Sequence, residues 1–177
     1  MTTIPALETE RPILRGRRAS DAPSLAEICA DADLMRYVGG VMGQANAWRR
    51  MATYAGHWVR RGYGSFALED KASGKLAGDS GIYDPDGWPE REINWGLARP
   101  FLGKGLVTDA ARRVRQYADD TLGFETITSC IATDTNPSIA VATRLGATLD
   151  RTVERGSAGI AIDRHISPAA CKRERGQ

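Results

Sequence analysis

A glycine-containing segment stands where a strand is predicted to end and a helix to begin. Gly103, Lys104 and Gly105 follow a predicted strand that ends near Leu97, and they precede an amphipathic run that starts at Leu106. The first turn of a helix leaves main-chain N–H groups unpaired, and the helix dipole adds partial positive charge there. Glycine lets the main chain approach a ligand without interference from Cβ. The segment therefore predicts an anion site suited to a pyrophosphate, to which Lys104 would add a cation.

Two better-known phosphate-binding motifs fit this segment less well. A Walker loop needs Gly-Lys-Ser/Thr at a set distance from its first glycine, and a dinucleotide loop needs Gly-x-Gly-x-x-Gly. Neither pattern is complete around Gly103 and Gly105. A plain tight turn between a strand and a helix stays open as the alternative interpretation of these two glycines.

The elements that must position this segment follow from hydrophobic periodicity and from turn residues. In the strand predicted at 90–97, Ile93 and Trp95 point to one side and Glu92 points to the other. Strand patterns dominate the middle of the chain and helical patterns interrupt them later, which predicts an α+β layered domain with one mixed sheet. The predicted strands are 13–14, 66–68, 76–83, 90–97, 127–131, 148–154 and 159–166, and the predicted helices start near 20 and span 44–61, 104–119 and 138–144.

Length and composition narrow the class of protein. The chain has 177 residues, of which 42% are hydrophobic and 26% charged. These values predict a single domain over 1–177, with a core at about 10–166 and with disordered or extended ends. The net charge of +2 gives no reason to expect nucleic acid as a partner. The chain has no apolar run long enough to cross a bilayer and no secretory pattern, so we expect no membrane contact and a cytoplasmic location.

Cysteines, histidines and basic clusters predict no further chemistry. Three cysteines stand far apart, and the two histidines cannot complete a convincing zinc site with them, so no metal is expected. Cys29 and Cys130 lie in apolar contexts and are expected to act as small hydrophobic residues. Short basic clusters are expected to be a solvated face near the start of the chain and a frayed tail at its end. Their members, with the third cysteine, are Arg11, Arg15, Arg17, Arg18, Lys172, Arg173, Arg175 and Cys171.

The stretch from 98 to 111, ARPFLGKGLVTDAA, resembles motif A of the GNAT acetyltransferases, Arg/Gln-x-x-Gly-x-Gly/Ala. It is more closely similar to the RimJ/RimL branch, whose version reads like Pro-x-x-Trp-Gly-Lys-Gly-Tyr-Ala-Thr-Glu-Ala. Similarity extends from about residue 10 to residue 166 and includes ERPILR, SDAPSLAEICAD, SIAVATRLGA and DRTVER. The residues in register with the branch motif are Gly103, Lys104, Gly105, Thr108 and Ala110.

Several positions depart from the motif. Pro100 stands where the superfamily has Arg or Gln, Leu102 replaces the branch's Trp, and Val107 replaces its Ala. Asp109 replaces the usual Glu, and Thr135 stands where the branch often has Asn, with Asn136 one place late. None of these changes removes a main-chain N–H group from the loop.

The resemblance implies a fold, a reaction and a set of binding residues. The implied fold is a mixed, mostly antiparallel central sheet of about seven strands with helices on both faces. The implied reaction is direct transfer of an acetyl group from acetyl-CoA to a primary amine, either a protein N-terminal α-amine or a small amine, in a ternary complex. Family members often dimerise, so a homodimer is one expected assembly. The implied cofactor-binding residues are Trp95, Gly96, Leu97, Leu102, Gly103, Lys104, Gly105, Leu106, Val107, Thr108, Asn136 and Ser138.

Direct attack requires a neutral amine, although an α-amino group has a pKa of ~8 and a lysine ~10.4. Glu92 is the candidate base, acting through water, with an ordinary solvent-facing carboxylate as the alternative; Asp79 is the second choice. By analogy with the family, a main-chain N–H near Leu97 would stabilise the oxyanion. Ser138 would assist the leaving thiolate, with a simple N-cap of its helix as the alternative.

Trp88 and Trp95 are expected to line the acceptor pocket, whereas Trp48 and Trp58 are expected in the core and His57 on the surface. The acidic loop at 84–86 would attract a cationic amine or would be merely solvated. An acyl-CoA-binding regulatory or sensor module without catalysis is the alternative function. A nucleic-acid binder is a third hypothesis, which the near-neutral charge counts against.

Overall fold

One open sheet of eight strands organises residues 3–155 and 158–166, which are the residues that the computed structural model describes. Neighbouring strands are antiparallel, except that β5 and β6 run parallel. The strands are β1 (Leu7–Glu8), β2 (Pro12–Arg15), β3 (Ser65–Asp70), β4 (Leu76–Tyr83), β5 (Glu92–Leu97), β6 (Thr126–Ala132), β7 (Thr148–Arg155) and β8 (Ala158–Ile166), in the spatial order β1-β2-β3-β4-β5-β6-β8-β7. The mixed, mostly antiparallel sheet is confirmed, and the two-residue β1 is the strand beyond the predicted seven.

Five α-helices accompany the sheet within the described residues. They are α1 (Ala22–Ala30), α2 (Ala32–Met35), α3 (Gln44–Arg61), α4 (Leu106–Asp120) and α5 (Asn136–Arg144). The bounds of α3 are those predicted, and Gly62 ends it in the left-handed conformation with a φ of 77°. The predicted start of α4 at residue 104 is wrong by two residues, because Gly105 is left-handed and acts as the N-cap. The predicted start of α5 at Ser138 is also wrong by two residues.

Helices cover both faces of the sheet, as predicted. Along β3, Phe66 and Leu68 point to the face that α4 covers, and Ala67 points to the face that α1 covers. Val114 of α4 packs in the first cluster, and Leu25 of α1 packs in the second. This period-two alternation, with apolar residues on both sides, is what a central strand between two helical layers requires.

The buried face of α3 differs from the predicted one. Ala47, Tyr54 and Trp58 are buried, but Trp48 is 61% exposed, so the prediction of Trp48 as a core residue is wrong. Trp48 lies about 100° around the helix from Ala47, which turns its ring toward solvent. Trp58 was predicted correctly: its Nε1–H donates to the carbonyl of Ser65 at 3.2 Å, and its ring packs edge-on against an aromatic neighbour.

His57 is buried, so its predicted surface position is wrong. Its Nδ1 lies 2.7 Å from the carbonyl oxygen of Tyr63, and its Nε2 lies 3.0 Å from the main-chain N of Asp84. The carbonyl can only accept and the amide can only donate, so the ring carries its proton on Nδ1. The side chain thereby ties α3 to the loop that follows β4.

The basic cluster near the start of the chain is only partly a solvated face. Arg11 and Arg18 are exposed, but the side chains of Arg15 and Arg17 are 10% and 6% exposed. Arg15 donates two hydrogen bonds to the carboxylate of Asp21, at 2.8 and 2.9 Å. The prediction fails for these two arginines because fixed carboxylates offset the cost of burying a cation. The predicted tail at Lys172, Arg173 and Arg175 lies outside the described residues.

The remaining expectations concern cysteines, metals and membranes. Cys29 is buried and Cys130 is half-buried, both as free thiols, and Cys171 lies outside the described residues. Within residues 3–155 and 158–166, no group of three or more His, Cys, Asp or Glu side chains is placed to hold a metal ion. In the same part of the chain, no helix is both long and apolar enough to cross a membrane.

A buried histidine in β8 should make stability depend on pH. The Nε2 of His165 lies 2.8 Å from the hydroxyl of Ser129, whose proton is donated to the carbonyl of Ile93. Burial, together with the positive charge of Arg115, lowers the pKa of His165 from 6.5 to about 4. The unfolded chain therefore binds this proton at a higher pH than the folded protein does. As the pH falls from about 6.5 to about 4, this residue alone should lower the free energy of unfolding by about 1.4 kcal/mol per pH unit.

Denaturant unfolding of the wild type and of His165→Gln at several pH values measures this contribution. The difference between the two proteins removes the effect of all other titrating groups. We expect the wild-type advantage to shrink steadily as the pH falls below 6.5. If the free energies of unfolding of the two proteins changed in parallel with pH, protonation of His165 would not be linked to unfolding.

Candidate active site

A cleft of about 930 Å³ opens where two neighbouring parallel strands part. Within the described residues, β5 and β6 pair in register at Glu92 and Thr128, and no further pair follows toward their C-terminal ends. The cleft is lined by β5, by residues 134–135 just after β6, by the first turns of α4 and α5, and by α3 with the loop before it. The carboxyl ends of parallel strands are a common place for ligands in sheets that helices cover on both faces.

The antiparallel register between β4 and β5 decides where the main chain of β5 points. The N–H of Ala98 donates to the carbonyl of Ala77, its partner in β4, at 2.8 Å. In an antiparallel pair every second residue is hydrogen-bonded to the neighbouring strand. Gly96 and Asn94 are therefore also bonded to β4. The N–H groups of Trp95 and Leu97 therefore point away from β4, toward the gap that β6 leaves. This geometry aims two fixed donors into the cleft.

Glu92 lies at the point where the strands part. The residue is 6% exposed, and its Oε2 accepts the main-chain N–H of Cys130 at 3.2 Å. The interpretation of Glu92 as an ordinary solvent-facing carboxylate is therefore wrong, because the neighbouring strand covers it. Burial, followed by the negative charge of Glu92, raises the pKa of the Cys130 thiol. The carboxylate of Glu92 still borders the cleft.

Asp79, the second candidate base, is held by a cation. Its Oδ2 lies 3.1 Å from Nη2 of Arg17, and the two side chains are 11% and 6% exposed. Asp79 also lies opposite Gly96 in the β4–β5 register, on the wall of the cleft. Its carboxylate is thus near the site but already engaged in a buried ion pair with Arg17.

The glycine loop has the geometry that the sequence predicts for an open helix N-terminus. Gly103 and Gly105 have φ values of 72° and 81°, and no side chain caps α4 at Gly105. The first intrahelical hydrogen bond of α4 is donated by the N–H of Asp109 to the carbonyl of Gly105, at 3.2 Å. The N–H groups of the preceding residues 106–108 lie before the first intrahelical bond and are left for a ligand or water.

Individual side chains around the loop take different positions. Leu106 is buried in the core beneath α4, so it can offer a ligand only its main chain. Val107 and Leu102 line the cleft, and Thr108 is half-buried. Lys104 is exposed, with its Nζ 5.6 Å from the centre of the Phe101 ring.

Arg11 lies beside the loop, and the sequence analysis did not find it there. Its Nη1 donates to Asp109 at 2.6 Å, and its guanidinium carbon is 3.5 Å from the position that a Cβ on Gly105 would take. The Asp109 that replaces the branch's Glu is therefore an anchor for a cation over the helix N-terminus. Ninety-eight residues separate the two partners, so no local pattern could have revealed the contact.

The first turn of α5 forms the opposite wall of the cleft. Ser138 is half-buried and lines the cleft, with its N–H donating to the carbonyl of Thr135 at 3.0 Å. Because Thr135 is the N-cap, the interpretation of Ser138 as the N-cap is wrong, and its hydroxyl is not used for capping. Asn136 is exposed at the start of the helix and does not line the cleft.

The far end of the cleft is aromatic and basic. Trp88 and Trp95 both border it, and the ring of Trp88 packs edge-on against Tyr83 at 5.2 Å. Tyr54 and Arg50 of α3 also line this end, which the sequence analysis did not predict. Only the packing of α3 shows that Tyr54 faces a cleft.

The structure brings about half of the predicted site residues to the cleft wall. Asn136 and the other predicted residues of the glycine loop and the first turn of α4 do not line the wall. That loop and turn adjoin the cleft between Leu102 and Val107, which do line it. Those on the wall are Glu92, Trp95, Gly96, Leu97, Leu102, Val107 and Ser138, and those beside it are Gly103, Lys104, Gly105, Leu106, Thr108 and Asn136.

The family model described as an acetyltransferase (GNAT) domain matches residues 11–148. The match covers most of the chain and includes the parted strands, the glycine loop and the first turn of α5. The chain belongs to the GNAT acetyltransferase family, and it is an acyltransferase of the N-acetyltransferase type.

The chain is also similar to individual proteins. The chain is 28% identical over 166 residues to the uncharacterized protein YkkB of Bacillus subtilis (strain 168), covering 88% of this chain and 92% of YkkB. A crystal structure of the acetyltransferase from Agrobacterium tumefaciens str. C58 is similar with a TM-score of 0.85 and 29% identity, over 94% of this chain and 97% of that one. The RimL ribosomal L7/L12 α-N-protein acetyltransferase in complex with coenzyme A shares the fold, with a TM-score of 0.75, 16% identity and coverage of 93% and 99%.

Proposed function

We propose that this enzyme moves the acetyl group of acetyl-CoA to a primary amine by direct attack in a ternary complex. The observation that carries the proposal is the single cleft that holds a glycine-capped helix N-terminus, two inward-pointing main-chain donors and a buried carboxylate. We further propose that one domain spans 1–177 and that it belongs to the RimJ/RimL branch. The resemblance of the glycine segment and the shared fold of RimL support that branch.

The cofactor would be held along the gap between β5 and β6. Its diphosphate would accept hydrogen bonds from the open N–H groups at 106–108, with Lys104 and Arg11 as nearby cations. A Cβ on Gly105 would fill the space beneath Arg11, so the glycine keeps this cradle open. The side chains of Leu102, Val107 and Trp95 offer apolar contacts for the arm that leads to the thioester.

The bound cofactor supplies an activated acetyl thioester, and the residues of this chain supply proton transfer and charge stabilisation. Glu92 accepts a proton from the amine through water, so that the neutral form can attack. The N–H of Leu97 donates to the oxyanion, at no cost of reorientation because the strand already fixes it. The amine therefore approaches from the Glu92 side of the gap.

Ser138 is proposed to hydrogen-bond the leaving thiolate, since its side chain lines the cleft and its hydroxyl does not cap α5. A hydrogen bond to a charged group contributes about 1.5–3 kcal/mol, so Ser138→Ala should lower kcat about tenfold to a hundredfold. Binding of coenzyme A, measured by calorimetry, should change little. Thr143→Ala is the matched control, because it removes an exposed hydroxyl from the same helix. Equal kcat values for the two variants would remove Ser138 from the mechanism.

A thiol-release assay with purified protein, acetyl-CoA and a panel of amines tests the function. The panel should contain peptides with free N-termini, amino acids and small primary amines. Thiol release that depends on an added amine, with the acetylated amine found by mass spectrometry, is the expected result. Tight binding of acetyl-CoA without acetylation of any amine would instead favour the sensor module. The cytoplasmic location and the homodimer stay predictions of the sequence.

A further inference from the structure

The carboxylates and the arginines that line the cleft differ in the partners that the protein gives them. Four carboxylates line the cleft, and each has a hydrogen-bond donor in the protein. The carboxylates with their donors are Asp33 with Arg99, Asp79 with Arg17, Asp134 with the hydroxyl of Tyr37, and Glu92 with the main-chain N–H of Cys130.

The two arginines that line the cleft have neutral partners instead. Nη1 of Arg49 donates to the amide oxygen of Asn46 at 2.6 Å. Nε of Arg50 donates to the hydroxyl of Tyr54 at 2.9 Å, and its Nη1 lies 3.6 Å from the sulfur of Met35. Within residues 3–155 and 158–166, neither guanidinium has a carboxylate oxygen within 4 Å. Arg50, the more buried of the two, is thus a cation with no carboxylate in direct contact among these residues.

Asp79 acts on Arg50 only from a distance, because its carboxylate is in direct contact with Arg17. The side chain of Arg17 is 6% exposed and lies over the ring of Tyr54, 4.4 Å from its centre. Its Nε and Nη1 are buried without a hydrogen-bond partner among the described residues. Two guanidiniums and one carboxylate therefore surround Tyr54, which leaves an excess positive charge at this end of the cleft. An unmatched charge in a low-dielectric site is costly unless a ligand completes it.

This positive end lies next to the proposed transfer point. Asp79 pairs in register with Gly96, and its Oδ1 is 3.4 Å from the position that a Cβ on Gly96 would take. The main chain of the next residue, Leu97, carries the proposed oxyanion donor. The cleft thus presents a carboxylate, Glu92, for an amine and a guanidinium, Arg50, for an anion.

We propose that the acceptor is an amine that also carries an anionic group, a carboxylate or a phosphate, which Arg50 binds. This inference rests on the proposed acetyl transfer to an amine and names the class of amine. The planar guanidinium of arginine gives carboxylates and phosphates paired, charge-assisted hydrogen bonds. The Tyr54 hydroxyl accepts a hydrogen bond from Nε of Arg50, which fixes one edge of the guanidinium beside the cleft.

Matched acceptors test the anionic group. Each pair has one anionic and one neutral member: 4-aminobutyrate and 4-aminobutanamide, alanine and alaninamide, phosphoethanolamine and ethanolamine. Values of kcat/KM are calculated from the concentration of the neutral amine, so that differences in the ionised fraction of the amines cancel. At least one anionic member should exceed its neutral partner by tenfold or more in the wild type. The carboxylate and phosphate pairs show which anion is preferred.

Variants of α3 assign the preference to one side chain. Arg50→Met keeps the bulk of the side chain and removes its charge, so the anionic-to-neutral ratio of kcat/KM should fall to about one. Arg50→Lys should restore part of the ratio. Arg60→Met, an exposed change on the same helix, should leave it unchanged. A ratio near one in the wild type, or an equal ratio in Arg50→Met, overturns the inference while acetyl transfer still stands.

A binding measurement separates this inference from the proposed function. Butyrate and inorganic phosphate carry the anion without an amine, and butanamide is the neutral control. At constant ionic strength, one of the anions should raise the unfolding temperature of the wild type and of Arg60→Met, but not of Arg50→Met. If it does so and no amine is acetylated, the anion site stands and the proposed function fails. If neither anion binds in an Arg50-dependent way, the inference fails.

Discussion

Glu92→Gln is expected to lower kcat about a hundredfold or more while leaving the affinity for coenzyme A unchanged. A positioned general base contributes about 10²–10⁴ in rate, and Gln cannot accept the proton. The amide oxygen of Gln can still accept the main-chain N–H of Cys130, so the junction of β5 and β6 should survive. Stopped-time thiol release measures kcat, and calorimetric titration with coenzyme A measures binding.

The pH profile distinguishes a lost base from a damaged fold. Raising the pH toward the pKa of the amine supplies the neutral nucleophile without a base, so the Glu92→Gln deficit should narrow with rising pH. A merely structural defect would give the same deficit at every pH. Glu27→Gln is the matched control, because it removes an exposed carboxylate from α1, away from the cleft. Turnover of Glu92→Gln equal to that of this control would remove Glu92 from the mechanism.

Gly105→Glu is expected to weaken coenzyme A binding at least a hundredfold, measured by the same titration. The new side chain places bulk and a negative charge at the helix N-terminus where the diphosphate is proposed to bind. It would also compete with Asp109 for Arg11, whose guanidinium lies 3.5 Å from the Cβ position. Repulsion and steric exclusion thus act in the same direction.

Three further variants separate the causes of this loss. Gly105→Gln has nearly the same bulk without the charge, and Gly105→Asn tolerates the left-handed φ of 81° with a smaller side chain. Gly74→Glu carries the same left-handed strain, at a φ of 67°, in the turn between β3 and β4. We expect affinity to fall in the order Gly74→Glu, Gly105→Asn, Gly105→Gln, Gly105→Glu. Normal binding by Gly105→Glu would show that the diphosphate lies elsewhere.

Local signals predicted most of the fold. The bounds of α3 and β4 follow from helical spacing ended by Gly62 and from strand alternation between turn residues. The failures are also local. Helical spacing did not show that Trp48 lies at the edge of the apolar stripe, and a polar residue such as His57 carries no signal of burial when its partners are main-chain groups.

The candidate site was predictable only where it is contiguous in sequence. The order of strand, glycine loop and helix start predicts an anion site at 103–108, because those donors belong to one turn of main chain. The contacts that surround it join residues far apart: Glu92 with Cys130, Arg17 with Asp79, and Arg11 with Asp109. Each arises where two elements meet, so no pattern along the chain marks it.

The sequence by itself thus determined the class of fold, the position of the glycine loop and the side of β5 on which Glu92 lies. Those features depend on backbone periodicity and on glycine, which act between residues a few places apart. Only the tertiary structure decided that β6 covers Glu92 and that Arg50 lines the cleft with no carboxylate of the described residues in direct contact. The period of a strand or helix determines which side chains share a face, but burial, charge pairing and shape depend on the element that packs against that face.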